Sequence, residues 1–326
     1  MFIILRTIFV VISLFFSSLP FAIAQPKPPQ QPISGPGGAE YQHAKVTRFF
    51  YGKGVNKYFI FEPADPIPNS APVIVFNHGW GATNPRSYGL WIEHIVRRGN
   101  IVIYPIYQNP NKWAYPPKKV TSNAIFAVKD AINRLQVRGQ IKPKLDKFAI
   151  VGHSAGGLIT ANMAALANSV SLPKPRAIMC IEPGISWSEI KIINIPLEDL
   201  SKIPEDTLLL TVVGDEDEIT GDKDAKKIFN ETPQIPLENK DYIIVVSDYY
   251  GKPPLIADHF APVAAGKIFV NALDYYGFWK LFDGLYETAF YGKNRRYALG
   301  NTTDQCFMGK WSDGVPVKEL IVTDNP

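Results

Sequence analysis

A serine set between small residues, where one apolar run ends and another begins, limits what this chain can fold into more than any other feature. Residues 150–157 read Ile150-Val151-Gly152-His153-Ser154-Ala155-Gly156-Gly157. The run before the serine, Phe148-Ala149-Ile150-Val151, has the apolar continuity of a buried strand. The run after it, Leu158-Ile159-Thr160-Ala161-Asn162-Met163-Ala164-Ala165, consists mostly of good helix formers. A serine on a sharp strand-to-helix turn needs small neighbours so that strand and helix can pass close together, and Gly152 and Gly156 provide that room.

The rest of the chain repeats this alternation. Val46 to Tyr51 and Lys57 to Phe61 read as an opening pair of strands around a turn containing Gly52 and Gly54. Further strands are expected at Val73 to Phe76, Ile101 to Tyr104, Phe148 to Val151, Ala177 to Ile181, Leu208 to Val213 and Tyr242 to Val246. Helices are expected near 87–98, 119–138, 155–168 and 222–230, with at least one after 259. Short apolar strands separated by helices imply a mostly parallel sheet covered on both faces. Only about twenty residues separate Pro183 from Glu205, too few for a large lid domain, so an open site is expected.

A net charge of +4, from 34 basic and 30 acidic residues, is too mild and dispersed to indicate nucleic acid. Residues 1–24 carry one charge, Arg6, and end in Ala22-Ile23-Ala24, the pattern of a secretory signal peptide cleaved after Ala24. A secreted or periplasmic location is therefore expected. Residues 25–39, rich in Pro, Gln and Gly, read as a flexible leader, and residues 40–326 as a single domain. Cys180 and Cys306 read as unpaired thiols in preference to a disulfide.

A serine hydroxyl is a poor nucleophile until a base takes its proton. His43 has no motif around it. His94 lies on a helix whose spacing points Trp91, Ile92, Ile95 and Val96 inward and His94 toward solvent. His153, inside the turn, is expected to face away from the serine. His259 follows the last strand of the alternation, where ligands bind in such sheets, and is the candidate base. The acid that orients it should come from Gly214-Asp215-Glu216-Asp217, where the Gly-x-x-Asp spacing favours Asp217 over Asp215. Asp258, adjacent to His259, is badly placed to bond it. The loop Asn77-His78-Gly79-Trp80-Gly81 follows a strand, so the backbone N–H groups of Trp80 and Ala155 are the candidate oxyanion donors, with His78 holding the loop. Trp187, Tyr249 and Tyr250 fall in loops on the same side and are candidates for a substrate-binding wall. Tyr275, Phe278, Trp279, Phe282 and Tyr286 follow helical spacing and read as a core face.

His78-Gly79-Trp80-Gly81, Gly152-His153-Ser154-Ala155-Gly156-Gly157, Gly214-Asp215-Glu216-Asp217 and Asp258-His259-Phe260 together resemble the α/β-hydrolase superfamily. Within it the chain looks most like the secreted dienelactone-hydrolase-like and cutinase-like polyester hydrolases, close to platelet-activating-factor acetylhydrolases. The resemblance spans roughly residues 45–275. It implies an eight-stranded, mostly parallel sheet, a Ser-His-Asp triad, no cofactor and no metal. It also implies a small-molecule, lipid or polymeric ester as substrate, with transient contact to lipid. Ala155 stands where polyester hydrolases often carry methionine, and the nucleophile is serine where dienelactone hydrolases use cysteine. The expected activity is ester hydrolysis. The competing readings are a serine peptidase or amidase on the same scaffold, and a binding protein that kept the fold.

Overall fold

The computed structural model describes residues 25–109, 116–138, 140–185, 195–267 and 269–326. The apolar stretch 1–24 and Trp187 lie outside the described residues. Among the described residues, no helix is long and apolar enough to cross a membrane.

One sheet organises the molecule. Its strands are β1 (Lys45–Tyr51), β2 (Lys57–Ala64), β3 (Ser70–Asn77), β4 (Ile101–Ile106), β5 (Lys142–His153), β6 (Ala177–Ile181), β7 (Leu208–Gly214), β8 (Lys240–Val245) and β9 (Ile321–Thr323). Their order is β1-β2-β4-β3-β5-β6-β7-β8-β9. Strands β3 to β8 run parallel, and β1, β2 and β9 add antiparallel edges. The apolar runs expected as strands are the central strands, because parallel strands are buried on both faces. The ninth strand, β9, adds to the expected eight. It is only three residues long, and Ile321 is exposed.

The helices are α1 (Gly89–Arg97), α2 (Val120–Arg138), α3 (Ala155–Leu166), α4 (Lys223–Asn230), α5 (Trp279–Tyr291) and the short α6 (Thr303–Cys306). On one face, α2 and α3 pack with Val73, Val75, Ile101, Phe148 and Ile150. On the other, α1 and α5 pack with Phe76, Tyr104, Val151 and Met179. Phe278, Trp279, Phe282 and Tyr286 are buried there, as their spacing implies. Helix α3 is buried from Ala155 to Ala165, which is why its sequence shows almost no polar face. Cys180 and Cys306 are both free and buried.

Two expectations are corrected here. The segment read as a flexible leader is a strap docked on the carboxyl-terminal region. The Pro26 carbonyl accepts from the Lys252 N–H at 2.8 Å, the Lys27 N–H donates to Ser312 Oγ at 2.9 Å, and the Gly37 N–H donates to Asp283 Oδ2 at 2.8 Å. His94, expected at the surface, is 1% exposed. The strap and α5 cover the side of α1 that its periodicity leaves open, and His94 Nε2 meets Asp283 Oδ2 at 2.8 Å.

Candidate active site

The turn after β5 forces Ser154 to φ 57°, ψ −125°, a conformation that L-residues rarely hold and that costs about 1–3 kcal/mol. The surroundings impose it. The Ser154 N–H donates to the Ile181 carbonyl at 2.9 Å, and the Ser154 carbonyl accepts from the Gly157 N–H at 2.8 Å. A Cβ on Gly156 would lie 2.2 Å from the Asn77 carbonyl oxygen, and one on Gly152 would lie 2.2 Å from the Gly156 carbonyl oxygen. The glycines are thus required by the close passage of α3 over β3 and β5.

Three residues distant in sequence meet at the carboxyl ends of the parallel strands. His259 Nε2 is 3.0 Å from Ser154 Oγ, and His259 Nδ1 is 2.9 Å from Asp217 Oδ2. All three are at least nine-tenths buried. Asp217 also accepts from the Ile219 N–H at 2.9 Å, the Thr220 N–H at 3.0 Å and the Thr220 hydroxyl at 2.6 Å. Burial opposes its ionisation, but the hydrogen bonds from His259 and Thr220 outweigh that and bring its carboxyl down to about 2. The two neighbouring aspartates are turned elsewhere. Asp215 accepts from the Ser247 N–H and hydroxyl, and Asp258 accepts from the Phe260 N–H.

The loop after β3 is pinned on several sides. The Tyr107 hydroxyl donates to the His78 carbonyl, the Tyr104 hydroxyl to the Ala82 carbonyl, and the Gly81 N–H to Gln108 Oε1. The His78 ring stacks on Tyr107 at 4.0 Å between centroids. Burial lowers its pKa to about 4, so the ring is neutral, and Nδ1 lies 2.7 Å from the Gly79 carbonyl oxygen. His78 therefore braces the loop that carries half-buried Trp80. The Ala155 N–H opens α3 and has no intrahelical acceptor.

This geometry matches a known architecture: the serine turn follows the fifth strand, the acid follows the seventh, and the histidine lies beyond the eighth. The fold is that of the α/β-hydrolases. A model of the Chlorophyllase family matches residues 50–193, the portion that holds both the Trp80 loop and the Ser154 turn. No match is found among curated proteins. Among solved structures, one similar chain comes from a study titled "Structural analysis of two fungal esterases from Rhizomucor miehei explaining their substrate specificity". That chain shares 12% identity, with 64% of this chain and 78% of the other covered and a TM-score of 0.48.

Within this α/β-hydrolase frame, the sequence reading of His153 is reversed. Its ring centroid is 4.8 Å from that of His259. Its Nδ1 meets the Tyr88 hydroxyl at 2.8 Å and its Nε2 meets Glu182 Oε2 at 3.0 Å. Glu182 directly follows β6 at φ 44°, fully buried, with Oε2 3.6 Å from His259 Nδ1. A lone acid after an apolar strand was the only sequence signal for it. Thr220 and Tyr88 carried none. His153, Glu182 and His259 also present three possible metal-ligating atoms within 4.8 Å. Two of these atoms are hydrogen-bonded to each other, and His259 Nδ1 is engaged by Asp217.

Of the proposed substrate wall, Tyr249 and Tyr250 are exposed, with hydroxyls donating to Glu216 and Asp313 at 2.7 Å. Phe260 is also exposed, its ring 5.7 Å from that of His259. Ile195, Leu200 and Ile203 are buried in the core beside α3.

Proposed function

We propose that this protein is a serine hydrolase that cleaves carboxylic esters through an acyl-enzyme. The observation that carries the reading is His259, with one ring nitrogen 3.0 Å from Ser154 Oγ and the other 2.9 Å from Asp217. Ser154 Oγ attacks the acyl carbon as its proton passes to His259 Nε2. Asp217, ionised through the working pH range, fixes the Nδ1–H tautomer and stabilises the imidazolium. The N–H groups of Ala155 and Trp80 hold the oxyanion, each contributing about 3 kcal/mol of barrier lowering. The tetrahedral intermediate collapses as Nε2–H protonates the leaving alcohol. Water, deprotonated by His259, then releases the acid and restores Ser154.

Phe260, exposed and with its ring 5.7 Å from that of His259, gives the site an aromatic neighbour suited to an ester with an apolar acyl or aryl part. The matched family model over residues 50–193 supports a hydrolase. The apolar segment 1–24, with its Ala-x-Ala ending, supports export.

The test is turnover of p-nitrophenyl esters of rising acyl length beside peptide anilides, with a fluorophosphonate probe mapped by mass spectrometry. Esters should turn over and the probe should modify Ser154. Preference for anilides would establish an amidase, and inertness toward both substrates and probe would leave a binding protein.

A further inference from the structure

The site holds more polar machinery than that mechanism uses. A continuous hydrogen-bonded chain runs behind it. The Gly79 N–H donates to the Tyr88 hydroxyl at 3.0 Å, the hydroxyl meets His153 Nδ1 at 2.8 Å, and His153 Nε2 meets Glu182 Oε2 at 3.0 Å. Its first member is the residue before Trp80, in the loop that would cradle the oxyanion. Its last lies against Nδ1 of His259, and its middle ring packs beside the His259 ring. The Thr220 hydroxyl lies near both acids, donating to Asp217 Oδ2 at 2.6 Å and lying 3.2 Å from the Glu182 carbonyl oxygen.

Charge decides what Glu182 can do here. Facing it are His153 from the end of β5, Asp217 from the loop after β7, and His259 and Asp258 from the segment after β8. Burial pushes the Glu182 carboxyl well above its ordinary range, and the negative charges of Asp217 and Asp258 push it further. Burial lowers His153 to about 3. Glu182 is fully buried and His153 is 3% exposed, so a charge on either is costly and the neutral forms are favoured. A neutral imidazole donates at one nitrogen and accepts at the other, and a carboxylic acid can serve either role. The chain therefore needs no net charge. An ionised Glu182, 3.6 Å from Nδ1, would compete with Asp217 for the His259 proton and draw the ring off the Asp217 axis.

We propose that Tyr88, His153 and Glu182 form an uncharged positioning unit that holds the Gly79–Trp80 loop and the His259 ring in register, with Glu182 acting as a neutral hydrogen-bonding group and not as a second anion for His259. This rests on the reading of Ser154 and His259 given above. A neutral unit tolerates an isosteric amide, whereas an anion for the imidazolium does not.

The experiment compares Glu182→Gln, Glu182→Ala, Tyr88→Phe and Asp217→Asn. It reads kcat and KM on a short p-nitrophenyl ester, thermal stability, and the His259 imidazole titration by NMR. Glu182→Gln should keep kcat within about threefold of wild type and leave the His259 titration unmoved. Glu182→Ala and Tyr88→Phe should each lower kcat about tenfold with KM unchanged, the signature of misplaced reacting groups. Asp217→Asn should lower it about 10⁴-fold. A Glu182→Gln loss matching that of Asp217→Asn, or a downward shift of about one unit or more in the His259 titration, would overturn the proposal and make Glu182 an anion. Wild-type kcat in both Glu182→Ala and Tyr88→Phe would also overturn it. The NMR titration needs no turnover. An unmoved His259 in a protein inert to esters would therefore sink the esterase reading while leaving a neutral Glu182 standing.

Discussion

Among the described residues, two buried histidine–aspartate pairs occur, and only one has a serine hydroxyl at the far side of its imidazole. His259 meets Asp217 at 2.9 Å and His94 meets Asp283 at 2.8 Å. Both carboxylates are further bonded, Asp217 by Thr220 and the Ile219 N–H, Asp283 by the Gly37 N–H and by Arg98 Nε at 3.1 Å. The difference lies beyond the imidazole. The far nitrogen of His259 faces a serine hydroxyl on a strained turn at the start of α3. The far nitrogen of His94 faces the Tyr41 hydroxyl at 3.1 Å, and its ring is covered by Trp279. Arg98 already supplies Asp283 with a permanent cation, so His94 has no charge-stabilising task. A histidine–aspartate bond is thus a fastening. It becomes reactive only where its open end meets an acidic hydrogen and a place for a substrate.

The contrast can be broken from either side. The largest effect should come from Asp217→Asn, which keeps the shape and removes the charge: kcat on a p-nitrophenyl ester should fall about 10⁴-fold, with a stability loss of only about 2 kcal/mol. Next is Asp283→Ala, which takes the buried acceptor from His94, the Gly37 N–H and Arg98 Nε, leaving Arg98 only Glu287 and the Gly35 carbonyl. Urea unfolding should show a loss of about 3–5 kcal/mol, with kcat per folded molecule essentially unchanged. Equal loss of activity in the two variants would erase the distinction. A smaller effect is carried by pH. Asp217 is depressed from 3.8 to about 2 in the folded state, so its contribution is complete above pH ~4 and disappears as pH falls through ~2. Wild type should therefore lose about 2 kcal/mol more than Asp217→Asn between those limits in paired urea titrations. The smallest is Tyr41→Phe, which removes the hydroxyl against His94. It should cost about 1 kcal/mol of stability and leave the ester rate alone.

The meeting of Ser154, Asp217 and His259 was legible because each part carries a local signature. The Ser154 turn needs glycine where the backbone closes to 2.2 Å, and the strand ends that present Asp217 and His259 are marked by apolar runs. Asp217 was separable from Asp215 only by spacing, and the structure shows why they diverge: Asp215 is consumed by Ser247 at the end of β8. Periodicity failed for His94 because it describes one face of a helix, whereas α1 is covered on a second face by segments far away in sequence. Composition failed for residues 25–39 because their anchorage runs through backbone groups at Pro26, Lys27 and Gly37, which any sequence possesses. Glu182 and Tyr88 escaped for a related reason. Each is an ordinary residue until β6 and the segment before α1 bring it against His153, and that meeting exists only in three dimensions. The strand β9 is three residues on a sheet edge, too short for its alternation to register.

The docked strap has a consequence for how the molecule is made. Lys27 and Ser312, which exchange two hydrogen bonds, are 285 residues apart. At a synthesis rate of ~5–20 residues per second, that gap corresponds to roughly 15–60 s. Residues 25–37 are therefore available almost from the outset yet must wait for nearly the whole polypeptide before their final contacts can form. Closure of the strap is completed only at the end of assembly, and a nascent chain interrupted before residue 312 lacks the Lys27–Ser312 clasp.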